Sequence, residues 1–297
     1  MEKITVDSKG ERLDNYLSKY LNITRSQIKK NIKNIYVNDK NEKCGFILNQ
    51  NDIITYEFKE EENIKPENIK IDIVYEDDDI IVVNKPNGLV VHPGAGNKNG
   101  TLVNALMYMS KSLSDINGEF RPGIVHRIDA YTTGLMVIAK NNEAHMILAE
   151  QIKNKKAKRK YLALVWGIIA NDTGTIDAPI GRDPNNRLKM KVTDINGKEA
   201  VTHFKVLKRF KNATLLDVEL ETGRTHQIRC HMEYINHPIV NDPVYSKKPL
   251  IDETMQVLHA YELTLIHPKT KEKMTFKAEE PESFKKIVKM MEDINGK

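Results

Sequence analysis

The stretch VTHFKVLKRFKNATLLDVELETGRTHQIR (201–229) sets the architecture. Strand signals at Val201–Phe210 and Thr214–Leu220 flank the turn Lys211-Asn212, and Leu216, Val218 and Leu220 alternate with Asp217, Glu219 and Glu221. Side chains of a strand alternate between faces, so this pattern predicts an antiparallel hairpin with one buried side. The next residues, Thr222-Gly-Arg-Thr-His-Gln-Ile-Arg229, turn at Gly223 and open a helical segment, His226–Ile235, with Thr225 as its predicted cap. Arg224 and Arg229 at this junction are suited to gripping an anion or a carboxylate.

Working outward, further strand signals lie at Ile80–Val83, Leu135–Ala139 and Tyr161–Trp166, and helical signals at Leu102–Met109 and Ala144–Ile152. Strands outnumber helices and do not alternate with them regularly. The expectation is a mixed α+β body rather than a doubly wound sheet. The first forty residues read separately, as two short helices and a strand. Leu13, Tyr16, Leu17, Tyr20 and Leu21 recur at helical spacing, Ser8-x-x-Glu11 and Thr24-x-x-Gln27 are candidate capping boxes, and Ile35–Val37 ends in the turn signal Asn38-Asp39. From Glu57 to Asp79 ten acids stand against three lysines around Pro66, which reads as a linker or a repelling strip. The boundary is placed near residues 60–70, giving domains 1–62 and 63–297.

The 297 residues, 40% hydrophobic with a mean hydropathy of −0.51, suit a globular chain with a sizeable core. The longest apolar stretch, Tyr161–Ala170, is interrupted by Gly167 and falls short of the roughly 20 residues a membrane helix needs. The first residues lack the apolar core of a secretory signal, and Cys44 and Cys230 form no C-x-x-C pair, so a cytoplasmic protein without disulfide framework or cysteine-rich zinc site is expected. The net charge of +5 permits an acidic partner without requiring one.

Several chemistries fail on their motifs. Gly94–Gly100 lacks the Gly-Lys-Ser/Thr ending of a phosphate loop and the spacing of a dinucleotide fingerprint. His226 and His231, five apart beside Cys230, do not share a helical face for a metal. No G-x-S-x-G elbow is present. What remains is Val125-His-Arg-Ile-Asp129, where extended geometry puts Arg127 and Asp129 on one face ahead of the turn Ala130–Gly134. Taken alone, this pair weighs more towards a surface salt bridge than towards catalysis. Two basic runs, one from Lys19 to Asn38 (Lys19, Arg25, Lys29, Lys30, Lys33) and one from Lys153 to Lys160, contain no acid. Solvated faces and RNA-binding surfaces both fit them.

HRIDAYTTGL (126–135) is similar to the signature of the RluA/RluD family of RNA pseudouridine synthases. KPNGLVVHPGAGNKNGTLVNAL (85–106), KRKYLALVWG (158–167), ELETGRTHQIRCH (219–231), HPIVNDPVYS (237–246) and LHAYELTLIHP (258–268) resemble that family's other blocks, in its order. ERLDNYL and TRSQIKKNIKNIYVN near the start look like the S4 RNA-binding module. The resemblance implies a largely antiparallel catalytic sheet preceded by a small α/β S4-like domain. Ala130 and Tyr131 depart from the family's usual charged pair, Thr133 replaces its serine, and Asn34 and Asn241 stand where glycine is commoner.

The implied reaction breaks the N1–C1′ bond of a uridine, turns the base and rejoins it through C5. It needs neither redox cofactor nor metal, and neither is expected. Asp129 is implied as the reacting carboxylate, either a nucleophile at C1′ or a base at C2′. Arg224, at the family's matching position, is implied to keep it ionised, with Arg229 second in line and otherwise a phosphate contact or a structural residue. Tyr161 is implied to lie against the flipped base, and Arg127 to fill the space the base leaves. Arg25, Lys29, Lys30, Lys33, Lys158 and Arg159 are expected to hold RNA backbone. The implied partner is RNA, foremost ribosomal RNA or a large-subunit precursor, for a monomer with no inferred protein partner. An inactive RNA-binding assembly factor and an enzyme of transfer RNA are the alternatives.

Overall fold

The computed structural model describes residues 3–58, 64–94, 96–110, 112–116, 122–254 and 256–293, apart from the side chains of Ser26 and Lys30. The chain divides into two compact units, Met1–Asn63 and Ile64–Lys297.

In the first unit, β1 (Lys3–Thr5), α1 (Leu13–Tyr20), α2 (Arg25–Asn31), β2 (Ile32–Val37), β3 (Lys40–Asn41) and β4 (Ile53–Phe58) follow one another. The strands pair antiparallel in the order β1-β4-β2-β3, and Leu13, Leu17 and Ile28 of the helices share a core with Ile35 and Ile54 of the sheet. The Thr24–Gln27 box forms, each side chain holding the other residue's backbone N–H. The Ser8–Glu11 box does not. Helix α1 begins at Leu13 with Arg12 as its cap residue, and the Arg12 guanidinium grips the buried Asp14 in the first turn at 2.8 and 3.0 Å. Asn34 is extended rather than left-handed, opposite Glu57 at an irregularity of the β2–β4 ladder, and donates to that carboxylate at 2.8 Å.

The second unit runs β5 (Asp72–Glu76), β6 (Ile80–Lys85), α3 (Leu102–Met109), β7 (Thr133–Ala139), α4 (Asn142–Lys153), β8 (Lys158–Trp166), β9 (Thr173–Asp177), β10 (Ile180–Arg182), β11 (Met190–Val192), β12 (Val201–Arg209), β13 (Ala213–Leu220), α5 (Gln227–Tyr234), β14 (Leu258–Ile266), β15 (Lys273–Lys277) and α6 (Glu282–Asp293). Nine of the strands form one sheet, in the order β5-β6-β7-β14-β8-β13-β12-β9 with β15 also on β14. Only the short β7–β14 pair is parallel; the other pairs are antiparallel, so the mixed, largely antiparallel body is present. Part of the acidic strip is not linker but β5, an edge strand. Charges on an edge discourage pairing with another chain.

The 201–220 hairpin is β12–β13, with Leu216, Val218 and Leu220 turned into the main core. The parallel pair explains Gly134. A Cβ there would stand 2.2 Å from the Ala260 carbonyl oxygen, and φ is +110°, so only glycine lets β7 approach β14 this closely. Helix α5 starts at Gln227, not under a Thr225 cap. The Gln227 side-chain oxygen instead accepts from the Arg224 backbone N–H and the Thr222 hydroxyl, and its amide donates to Val201 and Thr202. His226 takes the cap position in a left-handed conformation, φ +56°, uncommon for a residue with a side chain.

Candidate active site

Residues 126–129 belong to no helix or ladder. An isolated bridge joins Ile124 to Ile138, and His126 Nε2 accepts the Val137 N–H at 3.1 Å. Burial, aided by the charge of Arg159, pushes His126 down to about 3, so the ring stays neutral and serves as an acceptor. The Asp129 carbonyl closes a turn with the Thr132 N–H. Lys85, buried at the end of β6, donates to the carbonyls of Pro86, Leu89 and Ala130 at 2.7–2.9 Å. Burial lowers Lys85 to about 7 against the opposing pull of Asp129. Ile128 enters the core between Arg127 and Asp129, leaving those two side chains on a pocket of about 420 Å³.

Asp129 is held from α5. Its Oδ2 accepts from Arg229 Nη1 at 3.0 Å, while Arg229 Nε and Nη2 bind Asp242 at 2.6 and 3.0 Å. Arg229 and Asp242 are buried, and the guanidinium lies 4.9 Å from the Tyr245 ring centroid. Burial works against the arginine's charge, but the hydrogen bonds and charge of Asp242, joined by Asp129, prevail and raise its pKa. Asp129 Oδ1 makes no hydrogen bond among the described residues; His226 Nε2 lies 3.9 Å from it. The Tyr245 hydroxyl accepts the Met190 N–H at 2.8 Å and lies 3.0 Å from His226 Nδ1. Donation to Nδ1 leaves the His226 proton on Nε2, facing the open carboxylate oxygen. Burial lowers the pKa of His226, which favours this neutral form. One carboxylate oxygen is thus fixed and the other left for a substrate.

The opposite wall comes from β8 and β13. Tyr161 is buried in the core beside Leu220 and lines the pocket, and burial raises its pKa, so its hydroxyl stays protonated. Arg224 lines the pocket as well, but its Nε donates to the Glu199 carbonyl at 2.8 Å and it makes no ion pair with Asp129. The expected pairing of Arg224 with Asp129 is therefore corrected: Arg229 makes it. Buried between two carboxylates, Arg229 has no room to act as a phosphate contact either. Arg127 is exposed at the rim, 3.4 Å from His92 Nε2.

The two basic runs differ. Arg25 and Lys29, one turn apart on α2, and Lys33 on β2 are exposed and make no hydrogen bond or ion pair among the described residues, while Lys19 meets Glu11 at 2.7 Å. The Lys30 side chain lies outside the described residues. In the second run Lys155 pairs with Glu221 at 2.7 Å, Lys158 with Glu219 at 2.8 Å and Lys160 with Glu262 at 3.5 Å, and Arg159 is buried. Hydrogen bonds from Lys155 and His203 pull Glu221 down to about 2.

Asp242 and Tyr245 received no role from the sequence. Both follow Asn241, which does adopt the left-handed conformation, φ +64°, and whose side chain accepts the Ile251 N–H and donates to Asp252. The local signal was Asn-Asp-Pro, a turn that aims an aspartate inward. Asp77, Asp79 and His267 are the group among the described residues that brings metal-ligand atoms together. His267 is occupied at both ring nitrogens, donating to Asp77 and accepting from the backbone of Lys269 and Thr270, so this knot ties a turn.

Residues 79–234 match the family model of RNA pseudouridylate synthases, a span that contains Asp129, Tyr161 and Arg229. An RNA pseudouridine synthase of Bacillus subtilis (strain 168), YlyB, is 47% identical over 95% of this chain and 94% of its own. The chain belongs to the RNA pseudouridine synthase family. Its reaction is accordingly the isomerisation of uridine to pseudouridine in RNA. The synthase is also 44% identical to the ribosomal large subunit pseudouridine synthase D of Neisseria meningitidis serogroup B, over 94% of this chain and 78% of that one. The fold is similar to that of human RNA pseudouridylate synthase domain containing 1, with a TM-score of 0.58 and 24% identity over 75% of this chain and 95% of that structure. Among the described residues no helix is long and apolar enough to cross a membrane.

Proposed function

We propose that the synthase acts in the cytoplasm on a uridine of large-subunit ribosomal RNA, with Asp129 as the reacting carboxylate. The observation that carries the assignment is the asymmetry of Asp129. Arg229 holds Oδ2 at 3.0 Å, while among the described residues Oδ1 makes no hydrogen bond, at a pocket that Tyr161 also lines. A carboxylate beside the ribose can attack C1′ or remove the C2′ proton, and both need an ionised, oriented oxygen. Arg229 supplies the orientation and the compensating charge, and Asp242 anchors Arg229. The Tyr161 ring offers the uracil an apolar face and a protonated hydroxyl. Arg127 and Arg224 stand exposed at the same pocket, where a nucleotide leaving its stack would pass.

The choice of large-subunit RNA is supported by relatives named for that substrate, similar along nearly the whole chain. The first unit, with unpaired Arg25, Lys29 and Lys33 on view, is assigned to RNA binding in the manner of an S4 module. The test is to map pseudouridines in all RNA from a strain lacking the gene, complemented with wild type or with Asp129→Asn. Wild type restores one or more positions in large-subunit RNA and Asp129→Asn restores none. Loss confined to transfer RNA would overturn the substrate assignment, and loss nowhere would favour an inactive assembly factor.

A further inference from the structure

We propose that Arg159 is the seat of a backbone phosphate next to the target uridine, an inference that rests on the active-site assignment above. Arg159 is 6% exposed, yet among the described residues its guanidinium makes no hydrogen bond and no ion pair, and its Nε is buried without a partner. Its neighbours on β8 differ because of the pleat. Lys158 and Lys160 point to the other face, where Glu219 and Glu262 meet them, while Arg159 and Tyr161 share the face turned to the active-site pocket.

A buried charge without a partner costs several kcal/mol. Among the described residues no acceptor meets this guanidinium, so the acceptor arrives with the ligand. Two further features point to the same place. Arg159 lines both the pocket of Asp129 and an adjoining groove of about 900 Å³ that includes Lys153 and His126. In that groove His126, whose Nε2 is an acceptor, keeps its proton on Nδ1, and Nδ1 is also buried without a partner. Gly223 borders both cavities with no left-handed backbone to explain it. The nearest atoms a Cβ there would meet belong to the Arg159 guanidinium, 3.0 Å away at Nη1, so the glycine leaves room beside that guanidinium. Glu199 and Glu221 also border the groove, but Lys155 pairs with them at 3.5 and 2.7 Å. The donors left unused are therefore those of Arg159 and His126, and the anionic group an RNA strand carries beside each nucleotide is its phosphodiester. A guanidinium fork matches two phosphate oxygens.

The test compares full-length wild type, Arg159→Gln and Arg159→Lys in thermal melting and in binding to a substrate RNA over a salt series. The RNA carries a neutral methylphosphonate in turn at each phosphate around the target. Arg159→Gln should weaken binding by about tenfold to a hundredfold, the range for a charge-assisted hydrogen bond, and lower the salt slope by about 0.7–0.9. Its melting temperature should be unchanged or higher, because a stranded charge has been removed. Arg159→Lys should keep the slope and lose part of the affinity, since an ammonium carries the charge without the fork. One methylphosphonate position should weaken wild type and have no further effect on Arg159→Gln. Three outcomes would overturn the proposal: a lower melting temperature with an unchanged salt slope, additive losses at every phosphate position, or a fall in kcat at unchanged affinity. Failure here stays distinct from failure of the active site, because turnover by Asp129→Asn is measured separately.

Discussion

The runs Lys19–Asn38 and Lys153–Lys160 look alike as sequence: clustered bases, no acid between them. Folded, they differ. Arg25, Lys29 and Lys33 remain exposed with no ion pair among the described residues, whereas Lys155, Lys158 and Lys160 each find a carboxylate contributed by residues 219–262. The first is an open electrostatic surface. In the second, three lysines of the ladder are neutralised and one arginine is turned inward, while Lys153 and Lys156 stay exposed with no ion pair among the described residues. A run of like charge shows its own residues and says nothing of the strand that will lie beside it.

The sharpest way to separate attraction from chemistry is Asp129→Asn. Asp129 belongs to neither basic run, so removing this carboxylate should lower product formation by several orders of magnitude while RNA affinity stays near wild type or rises. Single-turnover assays beside binding titrations check it; substantial turnover would remove Asp129 from the mechanism.

Next in size, Arg229 and Arg224 divide what the sequence treated as one choice. Arg229→Gln leaves Asp242 and Asp129 facing each other without the buried cation between them, and breaking such a pair costs about 3–5 kcal/mol. Denaturant titration should show a loss of that order, together with strongly reduced activity. Arg224→Gln, on an exposed side chain, should cost little stability and act mainly on RNA affinity. Equal stability loss in the two variants would contradict the geometry.

How far the residues could be read follows from the same contrast. Strands with clean alternation, such as β13, and helices with clear caps, such as α2, were legible because their information is local. Strand β14 was missed as a strand because a bulge between Ala260 and Glu262 breaks its alternation. The Thr225 cap failed because Gln227, a residue of the helix itself, binds back to Thr222 and the Arg224 backbone. Asp129 was legible as a carboxylate beside an arginine, but its actual partner, Arg229, stood only second to Arg224. The pairing depends on Asp242 reaching Arg229 from beyond α5 and on the Glu199 carbonyl holding Arg224.

On the open surface, replacing Arg25, Lys29 and Lys33 together with glutamine should reduce the salt slope of RNA binding by about 2–3, close to one for each phosphate no longer neutralised. Turnover at saturating RNA should hardly change, since no residue of the pocket is altered. A filter-binding series from low to high salt checks it, and an unchanged slope would remove this face from RNA binding.

The smallest effect belongs to the neutralised ladder. Lys158 lies on the face of β8 away from the pocket, and its ammonium sits 2.8 Å from Glu219 with about half the side chain exposed. An ion pair this exposed contributes about 0–1 kcal/mol, so Lys158→Gln should move stability very little. The paired charge also gives RNA little net attraction, so affinity should fall by less than about threefold and the salt slope should barely shift. Glu219→Gln sharpens the point, because freeing Lys158 from its carboxylate should raise affinity for RNA at low salt if the strand passes near β8. If Lys158→Gln alone weakened binding as much as the triple change on the first unit, the ladder would not be neutralised in solution, and the two basic runs would be alike after all.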